Sequence, residues 1–286
     1  MRNHPVTHVG IDIGGTSIKA AAVVDGKEFW TRQSGFYRKP ALSHLRRALR
    51  EVCPAPVEGP VRVGLCLPGL LDRAARRVTL AVNAPGLAET DLDAMLADVI
   101  GPGYTPATIV NDGVACATDA TTRLGLKGRS LVLAMGTGVG AAVLDDGVAL
   151  VVEGASPGHV GQFDVSLADD PVIGPDGGAG GLEGYVGAQQ LVERYGPDLG
   201  SAFARFTGSE PCLMALARAV RLCHAMYRPH HVVLCGGVGI RLKPALPHLD
   251  KLIRRQLTSI ARDGWTLSCG VDDFHAARGA ATLAKT

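Results

Sequence analysis

The sequence predicts an α/β fold made of two related halves, and three observations predict it. Strand-like and helix-like segments alternate along the chain. A strand, a Gly/Thr turn, a second strand, a tight turn and a third strand occur twice, about half a chain apart. The length, 286 residues, suits two domains of roughly 150 residues better than one.

Taken in order, Val6 to Ile13, Ser17 to Val24 and Lys27 to Gln33 read as three successive strands. Asp25-Gly26 between the last two is a strong hairpin signal. Leu42, Leu45, Leu49 and Val52 recur at helical spacing in Ala41 to Val52, and Val61 to Leu67 is an apolar run of buried-strand length. Leu92, Met95, Leu96 and Val99 line one face of a helix over Glu89 to Ile100. A short strand, Ala107 to Asn111, leads into a helix over Gly113 to Leu124.

The opening then repeats. Leu131 to Met135 is a strand, Gly136-Thr137-Gly138 a turn, Val139 to Leu144 a strand, Asp145-Asp146-Gly147 a hairpin turn and Val148 to Val152 a third strand. Gly154 to Gly184 is rich in Gly, Asp and Pro and reads as an irregular, functional excursion. Ser209-Glu210-Pro211 starts an amphipathic helix that runs to about Tyr227. His231 to Cys235 is a strand ending at Gly236-Gly237, a helix carrying Leu246, Leu249, Leu252 and Leu257 follows, and an Ala-rich helix over Phe274 to Lys285 closes the chain.

Composition excludes several classes of protein. Hydrophobic residues make up 47% and charged residues 20%, which rules out a disordered polymer. The net charge of +2 is spread along the chain, and the short clusters Arg46-Arg47-Arg50 and Arg73-Arg76-Arg77 read as solvated faces rather than a nucleic-acid footprint. No apolar run approaches the roughly 18 residues of a membrane span, and Met1 to Thr7 lacks a signal-peptide core, so the expected compartment is the cytoplasm. The seven cysteines are scattered with no CxxC pair and read as reduced core thiols. The 37 glycines fall in clusters between Val- and Ile-rich runs, a pattern of turns and of close backbone approach to a ligand.

Three motifs can carry chemistry. In Gly10-Ile-Asp12-Ile-Gly14-Gly15-Thr16 a carboxylate ends a strand and a glycine turn follows. Backbone amides and the Thr16 hydroxyl there suit a phosphate, and Asp12 suits a magnesium ion held through water. A plain hairpin with left-handed glycines fits the same residues equally well. Gly136-Thr137-Gly138-Val139-Gly140-Ala141 matches a relaxed dinucleotide fingerprint, but a strand follows it where that fingerprint needs a helix. A second phosphate hairpin, mirroring the first half, fits better. Asn111-Asp112 ends an apolar strand, where Asp112 suits a general base in phosphoryl transfer, although taken by itself a helix cap is the better reading.

Together these residues resemble a sugar kinase of the ROK family, within the actin/hexokinase-like fold. Asp12 to Thr16 matches the family's first phosphate motif, Leu67-Pro68-Gly69 with Asp72 its PGxxD region, and Asn111-Asp112 its catalytic pair. Gly136-Thr137-Gly138 matches the second phosphate motif, and Gly158-His159 the GH of the sugar signature. Leu182-Glu183 with Tyr185 matches the segment that follows it. Leu234 to Val238 matches the nucleoside-binding GGGV, and Arg278-Gly279-Ala280-Ala281 the closing GAA helix.

The resemblance implies two ribonuclease-H-like α/β domains flanking an ATP and sugar cleft. Residues 1–112 with the closing helix at 274–286 would form the first domain, and 113–273 the second, which carries nucleotide motifs. It implies ATP at Gly14, Gly15, Thr16, Gly136, Thr137, Gly138, Gly236 and Gly237, magnesium at Asp12, and a catalytic base at Asp112. A sugar would meet Gly69, Asn111, Asp112, His159 and Glu183. It implies a homodimer with small-molecule partners only. A non-catalytic sugar or nucleotide regulator of the same fold, or a kinase for a non-sugar substrate, stays open beside the carbohydrate kinase.

Two departures stand out. Where the family has the Glu of its ExGH signature this chain has Ser156, with Glu153 three residues earlier. The three cysteines of the family's zinc loop are replaced by Gly174, Asp176 and Gly181. Glycine offers no side-chain ligand, so no zinc is expected, and His159 is left to the substrate. Ser156 removes a charged acceptor, and a substrate preference unlike that of a standard glucokinase is expected.

Overall fold

A computed structural model describes residues 6–53, 60–72, 74–101, 106–151, 159–258 and 260–285. Glu153, Ser156 and Gly158 lie outside these residues. The chain divides into two compact units, one formed by residues 1–119 with 274–286 and the other by 120–273. Among the described residues no helix is long and apolar enough to cross a membrane.

The first unit opens with an antiparallel meander of β1 (Thr7–Ile13), β2 (Ile18–Val24) and β3 (Lys27–Gln33). Asp25 (φ 48°) and Gly26 (φ 78°) make the two-residue left-handed turn that the Asp-Gly pair predicts. Next come α1 (Leu42–Val52), β4 (Val61–Leu67), a small hairpin of β5 (Leu70–Asp72) and β6 (Arg77–Leu80), α2 (Leu92–Ile100) and β7 (Pro106–Asn111). β4 pairs parallel to β1 and β7 parallel to β4, giving the sheet order β3-β2-β1-β4-β7. α3 (Asp112–Arg123) carries the chain out of this unit.

The second unit repeats the plan. β8 (Arg129–Met135), β9 (Val139–Asp145) and β10 (Val148–Ala149) form the meander, turned at Asp146 (φ 47°) and Gly147 (φ 83°). β10 is shorter than the strand predicted over Val148 to Val152 and ends at Ala149. An irregular stretch leads to α4 (Leu182–Val186), α5 (Ala188–Tyr195), α6 (Leu199–Phe203) and α7 (Pro211–Tyr227). β11 (His231–Cys235), α8 (Gly236–Arg241), α9 (Leu246–Gln256) and β12 (Thr266–Cys269) complete the unit, and α10 (His275–Leu283) returns to the first one. The sheet order β10-β9-β8-β11-β12, with β11 parallel to β8 and β12 parallel to β11, copies the first sheet strand for strand.

Each unit has its own apolar core. In the first, Ile11, Ile13, Leu65 and Leu67 of the sheet meet Leu45 and Leu49 of α1. In the second, Leu131 and Leu133 meet Tyr185 of α4 and Leu213 and Leu216 of α7. Three glycines outside the proposed ligand set serve packing. α10 lies so close on β1 and β4 that a Cβ on Gly10 would sit 1.8 Å from the Ala277 carbonyl oxygen, and one on Gly64 1.9 Å from that of Ala280. Gly279 makes the same close approach to Ala115.

Where the chain leaves and re-enters the first unit, Asp119 accepts hydrogen bonds from His275 Nδ1 (2.7 Å) and Arg278 Nε (2.9 Å), and Arg278 also reaches Glu28 (3.0 Å). Burial pushes the Asp119 carboxyl up, but these two donors outweigh it and hold the group below its ordinary value.

Candidate active site

In the first unit the chemistry gathers at the C-terminal ends of parallel strands, where open α/β sheets bind ligands. Asp12 lies beside Cys66 in the β1–β4 register, and Asn111 beside Leu67 in that of β4 and β7. The Cys66 thiol donates to Asp12 Oδ1 at 3.4 Å. Burial pushes that thiol far above its ordinary value, and the charges of Asp12 and Asp112 push it further. Cys66 therefore stays protonated between two carboxylates.

Asp112 is the first residue of α3 rather than the residue before it. Its Oδ1 accepts the Gly113 amide at 2.7 Å, and Asn111 Oδ1 accepts the same amide at 3.0 Å. Both side chains are thus oriented by the start of the helix. Gly69 has a left-handed φ of 89°, and a Cβ there would meet the Leu80 carbonyl oxygen at 2.0 Å, so the β5–β6 hairpin accounts for this glycine without a ligand.

The first glycine turn joins β1 to β2. The Gly14 amide donates to the Ser17 carbonyl at 3.1 Å, while the amides of Gly15, Thr16 and Ser17 have no acceptor among the described residues. Neither Gly14 nor Gly15 has a left-handed φ, so the plain hairpin built on left-handed glycines does not account for this turn.

The second unit holds the corresponding turn between β8 and β9, one residue shorter. The Gly136 amide donates to the Gly138 carbonyl at 2.9 Å, and the amides of Thr137 and Gly138 have no acceptor among the described residues. Gly136 has no left-handed φ, and a Cβ on it would meet nothing within 4 Å. Among the described residues neither backbone strain nor packing requires a glycine there. β9 follows this turn directly, which excludes the dinucleotide fingerprint.

Glu183 belongs to this second turn as well. Its Oε1 accepts the Val139 amide at 2.7 Å, and Gly161 lacks a side chain where Glu183 Cγ and Oε1 would stand 2.6 Å from a Cβ. Burial raises the Glu183 pKa, the Val139 amide works against that, the Asp176 charge adds to it, and His159 opposes it. His159 and Asp176 therefore both lie near Glu183. His159 is exposed and opens a short helical turn at 160–162. Among the described residues no group of three or more His, Cys, Asp and Glu side chains has metal-site geometry.

Gly236 begins α8 with φ 76°, and a Cβ there would meet the Met135 carbonyl oxygen at 2.4 Å, so α8 starts directly against the end of β8. The Arg241 guanidinium donates to the Gly237 carbonyl. The residue that sequence reasoning missed is Tyr37, whose hydroxyl donates to the Gly14 carbonyl at 2.7 Å. A single tyrosine in a polar loop carries no pattern by which to find it.

Two α/β units of matching strand order, each with a glycine turn offering unpaired amides, define a protein of the two-domain actin/hexokinase-like fold. The chain belongs to the ROK family, whose model matches residues 8–286. An N-acetylmannosamine kinase of Salmonella newport is 32% identical over 208 residues, covering 70% of this chain and 68% of that protein. A ROK family glucokinase from Streptomyces griseus, solved with glucose and AMPPNP, superposes with a TM-score of 0.74 at 20% identity over 98% of this chain and 99% of its own. A ROK family transcriptional regulator, homologous to the MLC protein of E. coli, shares the fold at a TM-score of 0.73 and 15% identity over 100% of this chain and 79% of that one.

Proposed function

We propose that the protein is an ATP-dependent carbohydrate kinase that phosphorylates a hydroxyl of a hexose or N-acetylhexosamine. One observation carries the reading: each unit ends a strand in a glycine turn whose amides lack acceptors among the described residues, and Asp112 stands oriented at the end of β7 in the sheet of the first turn. Free amides of this kind are the donors that phosphate oxygens need. The kinase relatives give the acceptor class.

In this reading the amides of Gly15, Thr16 and Ser17 and those of Thr137 and Gly138 bind phosphate oxygens, with the Thr16 and Thr137 hydroxyls beside them. Asp12 is a carboxylate already placed at a strand end, and it suits a magnesium ion held through water. Bound MgATP supplies the phosphoryl group and part of the charge neutralisation. Gly236 and Gly237 bring the start of α8 against the second turn and form the nucleoside side of the site.

The chain's own part in the reaction is positioning and proton transfer. Asp112, its Oδ1 fixed by the Gly113 amide, accepts the proton of the attacking sugar hydroxyl. Asn111 and Gly69 line the sugar, and His159 contributes a hydrogen bond to a hydroxyl. Glu183 has one oxygen on the Val139 amide, and a carboxylate's second oxygen keeps acceptor capacity for a sugar hydroxyl. Glu183 thereby joins the sugar side to the second phosphate turn.

The fold also serves a transcriptional regulator, so a non-catalytic sugar or nucleotide sensor is the second reading. An ADP-release screen with MgATP across hexoses, N-acetylhexosamines and polyols separates the two. Turnover with one class of sugar is the expected result. MgATP binding without turnover on any of them would favour the sensor, or a non-sugar acceptor.

A further inference from the structure

We infer that Tyr37 is a positioning residue for phosphate binding: its hydroxyl clamps the Gly14 carbonyl and so aims the Gly15 amide. The inference rests on the kinase reading above and names a residue outside every motif of the sequence.

The segment that follows β3 straps the first glycine turn. The Ser34 amide donates to the Ile18 carbonyl (2.9 Å), and the Ile18 amide donates back to Ser34 Oγ (2.9 Å). Gln33 Nε2 donates to Ser17 Oγ (3.2 Å), and the Tyr37 amide to the Thr16 carbonyl (2.9 Å). The Tyr37 hydroxyl then reaches over to the Gly14 carbonyl at 2.7 Å. The first four bonds fix the base of the turn, and the fifth fixes its leading peptide.

Peptide planarity turns that last bond into an aiming device. The Gly14 carbonyl and the Gly15 amide share one planar trans unit and point in opposite directions. A donor that holds the carbonyl on one side therefore holds the N–H on the other, and that N–H is one of the amides without an acceptor. Burial, reinforced by the Asp12 charge, raises the Tyr37 pKa, so the hydroxyl remains a donor across the working pH range.

The second turn uses the same device with different atoms. There the carbonyl of the first glycine, Gly136, accepts the Ala188 amide at 2.9 Å, and the peptide so fixed carries the free Thr137 amide. One turn is clamped by a side chain and the other by the first amide of α5. A recurrence in the two units, built from unrelated residues, marks the held carbonyl as a feature of the turn rather than an accident of packing.

The Tyr37 clamp can be removed cleanly. Tyr37→Phe deletes one oxygen and keeps the ring. The test measures affinity for MgATP and for adenosine, which lacks the phosphates, together with KM for sugar and thermal stability. Tyr37→Phe is expected to bind MgATP roughly three- to tenfold more weakly, the worth of one neutral hydrogen bond, with adenosine affinity and the KM for sugar unchanged.

MgATP affinity within twofold of wild type in Tyr37→Phe, or equal losses for MgATP and adenosine, would overturn the inference. A wild-type protein that binds no MgATP sinks the kinase reading and this one together. One that binds MgATP but phosphorylates no sugar sinks the kinase reading alone, and the two affinities still decide for or against Tyr37.

Discussion

Replacing Asp112 by Asn tests the proposed chemistry most directly, because the side chain keeps its shape and loses only its charge. As the first residue of α3, Asp112 has two structural contributions that the substitution alters. Its Oδ1 holds the Gly113 amide at 2.7 Å, a bond that an Asn carbonyl oxygen can keep in weaker, uncharged form at a cost of about 1 kcal/mol. Its charge at the helix N-terminus is worth a further ~0.5 kcal/mol. The sum, about 1.5 kcal/mol, lowers the melting temperature by roughly 3–6 °C in units of this size. Loss of a general base is a larger effect of a different kind, about 10²-fold or more in kcat, equivalent to about 2.7 kcal/mol in the barrier. The assay is steady-state ADP release at saturating sugar with MgATP varied, run beside a thermal melt. A kcat down about a hundredfold with KM for MgATP within twofold is the expected outcome. A kcat within a few-fold of wild type, with the melt lowered as above, would show that Asp112 only starts a helix.

Three further outcomes are expected. Gly136→Ala places its methyl in open space at an unstrained φ, so the melting temperature should hold or rise slightly, while MgATP affinity falls by roughly tenfold or more if a phosphate lies there; isothermal titration reads the second and calorimetry the first. His224 is buried, stacks edge-on against Trp265 and is lowered to about 4 by burial and by the Arg254 charge. The unfolded chain takes up a proton near pH 6.5 while the folded one does not until about pH 4, so stability is lost as the pH falls through that window, by about 2 kcal/mol between roughly pH 7 and pH 5. Denaturant melts across that range should show the slope in wild type and lose it in His224→Phe. Metal analysis of the purified protein should find no stoichiometric zinc, and a chelator should leave the melting temperature unchanged, because Gly174, Asp176 and Gly181 offer at most one side-chain ligand among them.

The elements that local chemistry specifies were legible. Asp25-Gly26 and Asp146-Gly147 can both adopt left-handed φ, and each sits where a two-residue hairpin turn forms. The Leu and Val spacing of α1 and α2 and the apolar run of β4 appear within a few residues of where the pattern puts them. Elements that depend on distant contacts were not. α8 begins Gly-Gly-Val-Gly, a poor helix sequence, and forms because it starts against the Met135 carbonyl and packs Gly239 against Leu234. β12 is only four residues long and gains its backbone partners from β11. β10 ends at Ala149 although the Leu150 amide still donates to the Val143 carbonyl at 2.8 Å, and Val152 of the predicted strand lies outside the described residues. For the site, the sequence motifs locate Asp12, Asp112 and both glycine turns. The Glu183 bond to Val139 and the Tyr37 bond to Gly14 join residues 44 and 23 positions apart, and no local pattern encodes them.

The glycines show how structure sharpens a functional reading that sequence leaves blunt. A glycine-rich motif suggests a ligand because the residue lacks a Cβ, but protein backbone can need that space as much as a phosphate can. Gly10, Gly64 and Gly279 are answered by α10 and Ala115, Gly69 by the Leu80 carbonyl, Gly161 by Glu183, and Gly236 by Met135. Each has a neighbour inside the protein that a methyl group would strike. Among the described residues Gly136 has no such neighbour, its φ is not left-handed, and the two amides after it lack acceptors. In the second glycine turn the described residues thus leave Gly136 unexplained, which makes it a sharper test of a ligand there than Gly69 or Gly236.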